Sequence, residues 1–417
     1  MKILVVGELP LSPKKGATYS IESNNITAYT HGFFKYPCKF IPHIPRWAIK
    51  KYLSNKNGAL LDPFCGSGTS LVEGVIHNKA CYGIDVDPFS KLLTEVKTTP
   101  FTEAEIVELE KISEILRERL RSQNGRVFVP SIPNIEKWFS KRVINDLGRL
   151  KREIDRLTKD NSKCRKFFYV ILASIIRKVS NADNQSPKPY VSSRFNKDEL
   201  NAIEIFFSSF KKFVEKIGEF SSLKNIGNAY IIGDDARRIT KIIKGKIQLA
   251  VTSPPYINAF DYVRSLKLEN LWLGLTDYNK LLKLRPKFVG TENIIITEKG
   301  IPKTQYKNLQ RILKGIYKVD KKRAWVVYKY FQDMETNILM THDILKKGGC
   351  YTIVIGESKI RGIRIPTHQI LADIALRKGY LLDNMFSYEI KNRYLRFPRK
   401  GRGGFIKKDW VVSLVKK

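Results

Sequence analysis

The stretch from 59 to 94 limits the possible folds more than any other part of the chain. Apolar ALL at 59–61 runs into DPFCGSGTS, and LVEGVIHNKA after it has helical character. ACYGIDVDP then reads as a second short strand that ends in acids. Strand, glycine turn, helix, strand is a β-α-β unit with its tight loop at the first strand–helix junction. Glycines there let a ligand lie against bare backbone, and the helix N-terminus that follows favours negative groups. No Lys-Ser/Thr pair follows Gly66-Ser67-Gly68, so this is not a phosphate loop, and the third glycine of the dinucleotide fingerprint is missing. Asp85, at the end of the second strand, is placed to accept both hydroxyls of a ribose.

Alternating β/α character returns near the far end of the chain. NAYIIGDDAR (228–237), IQLAVTSPPY (247–256) and LKKGGCYTIVIGES (345–358) read as strands, with a helix through SLKLENLWLGL. A helix over roughly 367–378 and two strands near 381–390 and 410–416 complete the pattern, and MKILVV reads as a first strand. Residues 100–225 are different. Thr102-x-x-Glu105 is a capping box, with apolar Ile106, Leu109, Ile112, Leu116 and Leu120 behind it. Further helical patterns lie at 140–158, 164–180 and 197–220. The expected architecture is a doubly wound α/β sheet. Its catalytic domain is discontinuous, 1–99 plus 226–417, and is interrupted by a helical insertion at 100–225. A lysine-rich stretch at 276–330, with no clear period, is expected to be a second, basic insertion.

Charge points to the partner. Seventy-five Lys and Arg face 40 Asp and Glu, a formal net of +35, and such a field favours polyanions. Lys303–Lys329 holds nine basic residues and one acid, Asp320. Lys391–Lys408 holds eight and no acid, with Tyr394, Phe397 and Phe405 between them, the pattern of a nucleic-acid surface. Lys321, Lys322, Arg323, Arg393, Arg396, Arg399, Lys400 and Arg402 are the candidate contacts. Five cysteines without a CxxC pair argue against zinc and a disulfide framework, and no metal site is expected. With no signal-peptide layout and no run long enough to span a bilayer, a cytoplasmic protein is expected.

Ser253-Pro254-Pro255-Tyr256 stops a strand abruptly. Each proline fixes φ and removes a donor, so carbonyls in the corner are left without ladder partners. A further acid pair, Asp234-Asp235, follows the preceding strand. Together DPFCGSGT, GIDVDP and SPPY resemble the amino-methyltransferases that use S-adenosylmethionine to methylate exocyclic nitrogens of DNA bases. The serine form of the corner most resembles the cytosine-N4 enzymes of restriction–modification systems. Flanking HGFFKYPCKFIPHIPR, INAFDYVRSLKLENLWLG and NRYLRFPRKGRGG agree with that family, and the likeness covers most of the chain outside the two insertions.

The resemblance implies a Rossmann-like class I methyltransferase with a mostly parallel seven-stranded sheet. Its cofactor residues would be Asp62, Pro63, Phe64, Cys65, Gly66, Gly68, Thr69, Asp85, Val86, Asp234, Asp235 and Ala236. Tyr36-Pro37-Cys38-Lys39-Phe40 would meet the methionine end, with Lys39 and Phe40 as contacts. The corner Ser253, Pro254, Pro255 and Tyr256 would be catalytic. An exocyclic amine is a poor nucleophile, and two acceptors around its protons, the Ser253 side chain and the Pro254 carbonyl, would favour attack on the sulfonium methyl. Tyr256 would offer a face for the base, which must be flipped out of double-stranded DNA. A cognate restriction endonuclease is the implied functional partner. Adenine-N6 methylation, tRNA guanine-N2 methylation and a non-catalytic nucleic-acid-binding fold remain as alternatives. Cytosine-C5 chemistry needs a Pro-Cys nucleophile, and Pro37-Cys38 is read instead as part of the cofactor lid.

Overall fold

The computed structural model describes residues 1–23, 25–54, 57–121, 127–183, 186, 188–192, 197–239, 243–257, 261–391 and 406–417. Eleven strands are described. They are β1 (Lys2–Val6), β2 (Thr18–Glu22), β3 (Ala59–Asp62), β4 (Cys81–Ile84), β5 (Ala229–Gly233) and β6 (Ile247–Thr252). β7 (Leu345–Gly356), β8 (Ser358–Ile360), β9 (Ile363–Ile365), β10 (Tyr380–Glu389) and β11 (Lys408–Lys416) follow. Nine of them form one sheet in the order β1-β2-β10-β11-β7-β6-β3-β4-β5, and β8-β9 is a separate hairpin. Every pairing in the large sheet is parallel except those of β11 with β10 and β7.

The seven strands from β10 to β5 make the expected doubly wound sheet. Two N-terminal strands extend it, since β2 pairs with β10 through Thr18–Ser387 and Tyr19–Tyr388. Seven strands were expected and nine are present; TYSIE at 18–22 is too short and mixed to announce itself. The chain runs β3, β4, β5 outward on one side and then returns to β6 on the other side of β3. Such a reversal opens a crevice at the C-terminal strand ends, where ligands of open α/β sheets bind.

Both faces of the sheet are covered, so its central strands are apolar throughout: β3 and β6 are buried at every position. Successive side chains alternate between two cores. Leu60, Leu249, Val354 and Val411 join one, and Leu61, Ala250, Ile355 and Val412 the other. The first core continues into the helical block expected from the sequence, helices 103–121, 141–157, 162–179 and 202–221. Its entrance is the reciprocal capping box: Glu105 N–H donates to Thr102 Oγ1 at 3.2 Å, and Thr102 N–H donates to Glu105 Oε2 at 2.8 Å. The sheet draws strands from both sides of this block.

The lysine-rich stretch departs from expectation. Residues 307–319 form a helix that buries Leu309, Ile312, Leu313 and Ile316 in the second core. Asp320 caps the next helix, 321–344, by accepting from Arg323 N–H at 3.0 Å. The i, i+3, i+4, i+7 period is present, but lysines on the wet side hide it in a plain reading of composition. No described helix is long and apolar enough to cross a membrane.

Candidate functional site

The glycine loop and Asp85 build each other. Gly66 and Gly68 take φ of 49° and 74°, a region that side chains rarely adopt. A Cβ on Gly66 would stand 3.2 Å from the Tyr36 ring, and one on Gly68 3.0 Å from Thr94. The freed Gly66 N–H donates to Asp85 Oδ2 at 2.8 Å, and Asp87 N–H donates to Oδ1 at 2.9 Å. Burial pushes the Asp85 carboxyl up to about 6, against the pull of those two amides. Helix 69–76 starts directly behind the loop.

A cleft lies against this loop. Of the residues expected to hold a cofactor, Pro63, Phe64, Cys65, Gly66 and Thr69 line it from the loop side. Asp85 and Val86 line it from β4, and Asp235 and Ala236 from β5. The 36–40 segment closes it, with Lys39 and Phe40 on the wall as expected. Ser253 and Pro255 reach it from the end of β6. Four strand ends therefore meet one cavity.

Five expected residues are not on that wall. Asp62 lies beneath it, 1% exposed, accepting from Thr252 Oγ1 at 2.6 Å and from Phe64 N–H at 3.0 Å. It shapes the loop from below, because its strand places it in the sheet core. Gly68 packs on Thr94, and Pro254 is buried. Asp234 turns outward toward Lys287 Nζ, 3.8 Å away. Tyr256 is half-buried and its hydroxyl donates to Asp409 Oδ1 at 2.6 Å.

Comparisons with known proteins find methyltransferases. The family described as RMKL-like, methyltransferase domain, matches residues 53–137, the segment that carries the glycine loop and Asp85. The type II methyltransferase M.MvaI of Kocuria varians is 27% identical over 403 residues, 91% of this chain and 87% of its own length. M.MjaII of Methanocaldococcus jannaschii is 28% identical over 46% of this chain and 29% of its own, and M.BsoBI of Geobacillus stearothermophilus 25% over 68% and 59%; both are type II methyltransferases. The chain is thus similar to type II methyltransferases over most of its length.

The segment before the glycine loop is anchored by a buried carboxylate. Glu73, on helix 69–76, accepts from Arg46 Nε and Nη2, each at 2.9 Å, and from His31 Nε2–H at 2.9 Å. Burial alone would raise Glu73; the bonds from His31 and Arg46 outweigh it and hold the carboxyl down near 2. His31 itself is lowered to about 4 by burial, so it is neutral at pH 7. Lys39 donates to the His31 carbonyl at 2.9 Å, and burial lowers it to about 8. Lys97, wholly buried, donates to the Ser67 carbonyl at 2.5 Å and braces the glycine loop from behind.

Sequence reasoning missed the other wall. Tyr262, Lys287, Phe288 and Val289 line the cleft, and Tyr262 and Phe288 stack with ring centres 6.1 Å apart and planes 4° from parallel. Both rings also border a second cleft, which includes Arg264 and Arg285. The 287–289 segment is held by Arg237 of the GDDAR motif. Its guanidinium forks onto Asp235 (Nε to Oδ1 2.8 Å, Nη2 to Oδ2 3.0 Å), reaches Asp333 at 3.2 Å and donates to the Lys287 carbonyl at 3.0 Å. The arginine after two acids was the available signal. Gly290, at φ 79°, brings this segment against the corner: a Cβ there would lie 3.0 Å from the Tyr256 carbonyl oxygen.

Of the expected polyanion contacts, Lys321 and Lys322 are exposed in the first turn of helix 321–344, and Arg323 pairs with Glu292 at 2.9 Å. Arg393, Arg396, Arg399, Lys400 and Arg402 lie outside the described residues.

Proposed function

We propose that this chain methylates the exocyclic N4 of a cytosine flipped out of duplex DNA at a specific sequence, with S-adenosylmethionine as methyl donor. The observation that carries the reading is the shared cleft: Ser253 and Pro255 open onto the same cavity as the glycine loop, Asp85 and the 36–40 segment. The relatives' designation as type II methyltransferases supports site-specific DNA as the substrate.

S-Adenosylmethionine, when bound, supplies a methyl group activated on a sulfonium. Asp85 would accept the ribose hydroxyls, Asp235 and Ala236 would border the adenine, and Tyr36 to Phe40 would cover the methionine end. The Ser253 hydroxyl and the Pro254 carbonyl accept the two protons of the target amine. That interaction strengthens as positive charge grows on nitrogen, so it lowers the barrier rather than merely binding the base. The prolines keep that carbonyl aimed without reorganisation. Extrusion of the base costs a few kcal/mol, which contacts to the strand backbone offset. A restriction endonuclease of the same specificity would be the functional partner.

Transfer of tritium from labelled S-adenosylmethionine to DNA, followed by nucleoside digestion, tests this. Label in N4-methyldeoxycytidine is expected. Label in N6-methyldeoxyadenosine overturns the choice of base, and label in no DNA overturns the reading as a whole.

A further inference from the structure

We propose that Asp409 is a positioning residue that holds Tyr256 in place behind the methyl-transfer corner. This rests on the reading of Ser253–Tyr256 as the corner that receives the target base. Asp409 belongs to β11, two strands from β6 across the sheet, and lies far from the corner in sequence. It is 5% exposed. One carboxylate oxygen accepts from the Tyr256 hydroxyl at 2.6 Å, the other from the Tyr388 hydroxyl at 3.2 Å. Among the described residues no lysine, arginine or histidine forms an ion pair with it.

A buried carboxylate served by two phenols is a costly way to fill space, since the charged form loses water and gains no cation. An apolar residue there would pack more cheaply, so stability gives no reason for the acid. The surrounding backbone is cut to admit it. Gly356 is its register partner on β7, and a Cβ there would stand 3.1 Å from Asp409 Oδ1 and 2.7 Å from Ile406. The Tyr256 hydroxyl is thereby held by Asp409, while Gly290, with no Cβ, leaves room for the Tyr256 carbonyl oxygen. A ring fixed before the base arrives loses no torsional freedom on binding it, and displacements near 1 Å at such a site cost about 100-fold in rate.

The test compares wild type with D409N, D409A, Y256F and the D409A/Y256F double variant. D409A and Y256F are each expected to lower kcat/KM for DNA by about 10- to 100-fold, with the affinity for S-adenosylmethionine unchanged. The double variant is expected to lose no more than the worse single one, because both remove the same contact. D409N, whose amide oxygen still accepts from Tyr256, is expected to recover most of the activity. Additive losses, or wild-type rates in D409A, overturn the proposal. Fluorotyrosine labelling reads the ring without DNA: the 19F signal absent from Y256F should shift and narrow in D409A and hold in D409N. An unmoved signal overturns the positioning role even if rates fall. Failure of wild type to methylate any DNA, with the signal still released in D409A, sinks the substrate reading and leaves the contact standing.

Discussion

Asp62 shows how a single side chain can shape a cleft without lining it. It caps the turn after β3 by accepting from Phe64 N–H and Thr252 Oγ1, while its other oxygen, Oδ2, has no partner among the described residues. Burial, first among the influences on it, raises its carboxyl to about 6 from an ordinary value near 4. A folded-state pKa raised above the unfolded one gives stability that is fully present below the unfolded value and is lost as pH rises through the folded one. Asp62→Asn removes that dependence and keeps an acceptor. The gain in stability of Asp62→Asn over wild type, measured by chemical denaturation without ligand, should therefore grow between pH 4 and pH 7 by roughly 1–3 kcal/mol. A difference that stays flat across this window contradicts a raised carboxyl. The sequence showed that an acid stands at this strand end, but not that its side chain is turned down into the sheet. Asp85 was legible in position, at a strand end beside the loop, whereas its bond from the Gly66 N–H depends on a loop geometry that the sequence does not spell out. Asp234 and Asp235 could not be told apart until the outward turn of one and the arginine fork on the other were seen.

Among elements, the strands were the easiest to read. Runs such as IQLAVT are apolar on both faces only because helices cover both sides of a parallel sheet, and that state writes itself into composition. The wall formed by 287–289 was not legible, since nothing local in RPKFVG distinguishes the wall of a cleft from a surface turn. Its place is set by Arg237, far away in sequence, through one bond to the Lys287 carbonyl. Arg237 is also the partner that keeps the Asp235 carboxyl ionised: burial raises that group, and the guanidinium pulls it below the ordinary range. Arg237→Ala should release the segment and leave the glycine loop intact. The KM for S-adenosylmethionine is expected to rise about 10-fold or more, the worth of one charge-assisted hydrogen bond, while Arg237→Lys recovers little because it cannot fork. An unchanged KM in steady-state methyl transfer would mean that Val289 and Phe288 hold their positions by packing alone.

For the whole molecule, the net charge of +35 is legible as composition, whereas its useful part depends on which cations folding leaves free. Many are committed internally. Arg46 serves Glu73, Arg237 serves Asp235 and Asp333, and Arg323 serves Glu292. Lys321 and Lys322 remain exposed at the start of helix 321–344, with Lys321 Nζ 6.0 Å from the Tyr317 ring centre. Their helix packs into the second core, so their positions are rigid, which favours fixed contacts to a strand backbone over loose screening. Each phosphate neutralised contributes about 0.9 to the slope of log affinity against log salt. Reversing Lys321, Lys322 and Arg323 to glutamate should weaken binding to duplex DNA and lower that slope by about 2 rather than 3, because Arg323 already answers an acid. Affinity for S-adenosylmethionine should not change, since none of the three borders the cleft against the glycine loop. The salt series separates the outcomes. Lower affinity with an unchanged slope would place the damage in the fold of helix 321–344, and an affinity and slope both equal to wild type would remove this helix from the DNA surface.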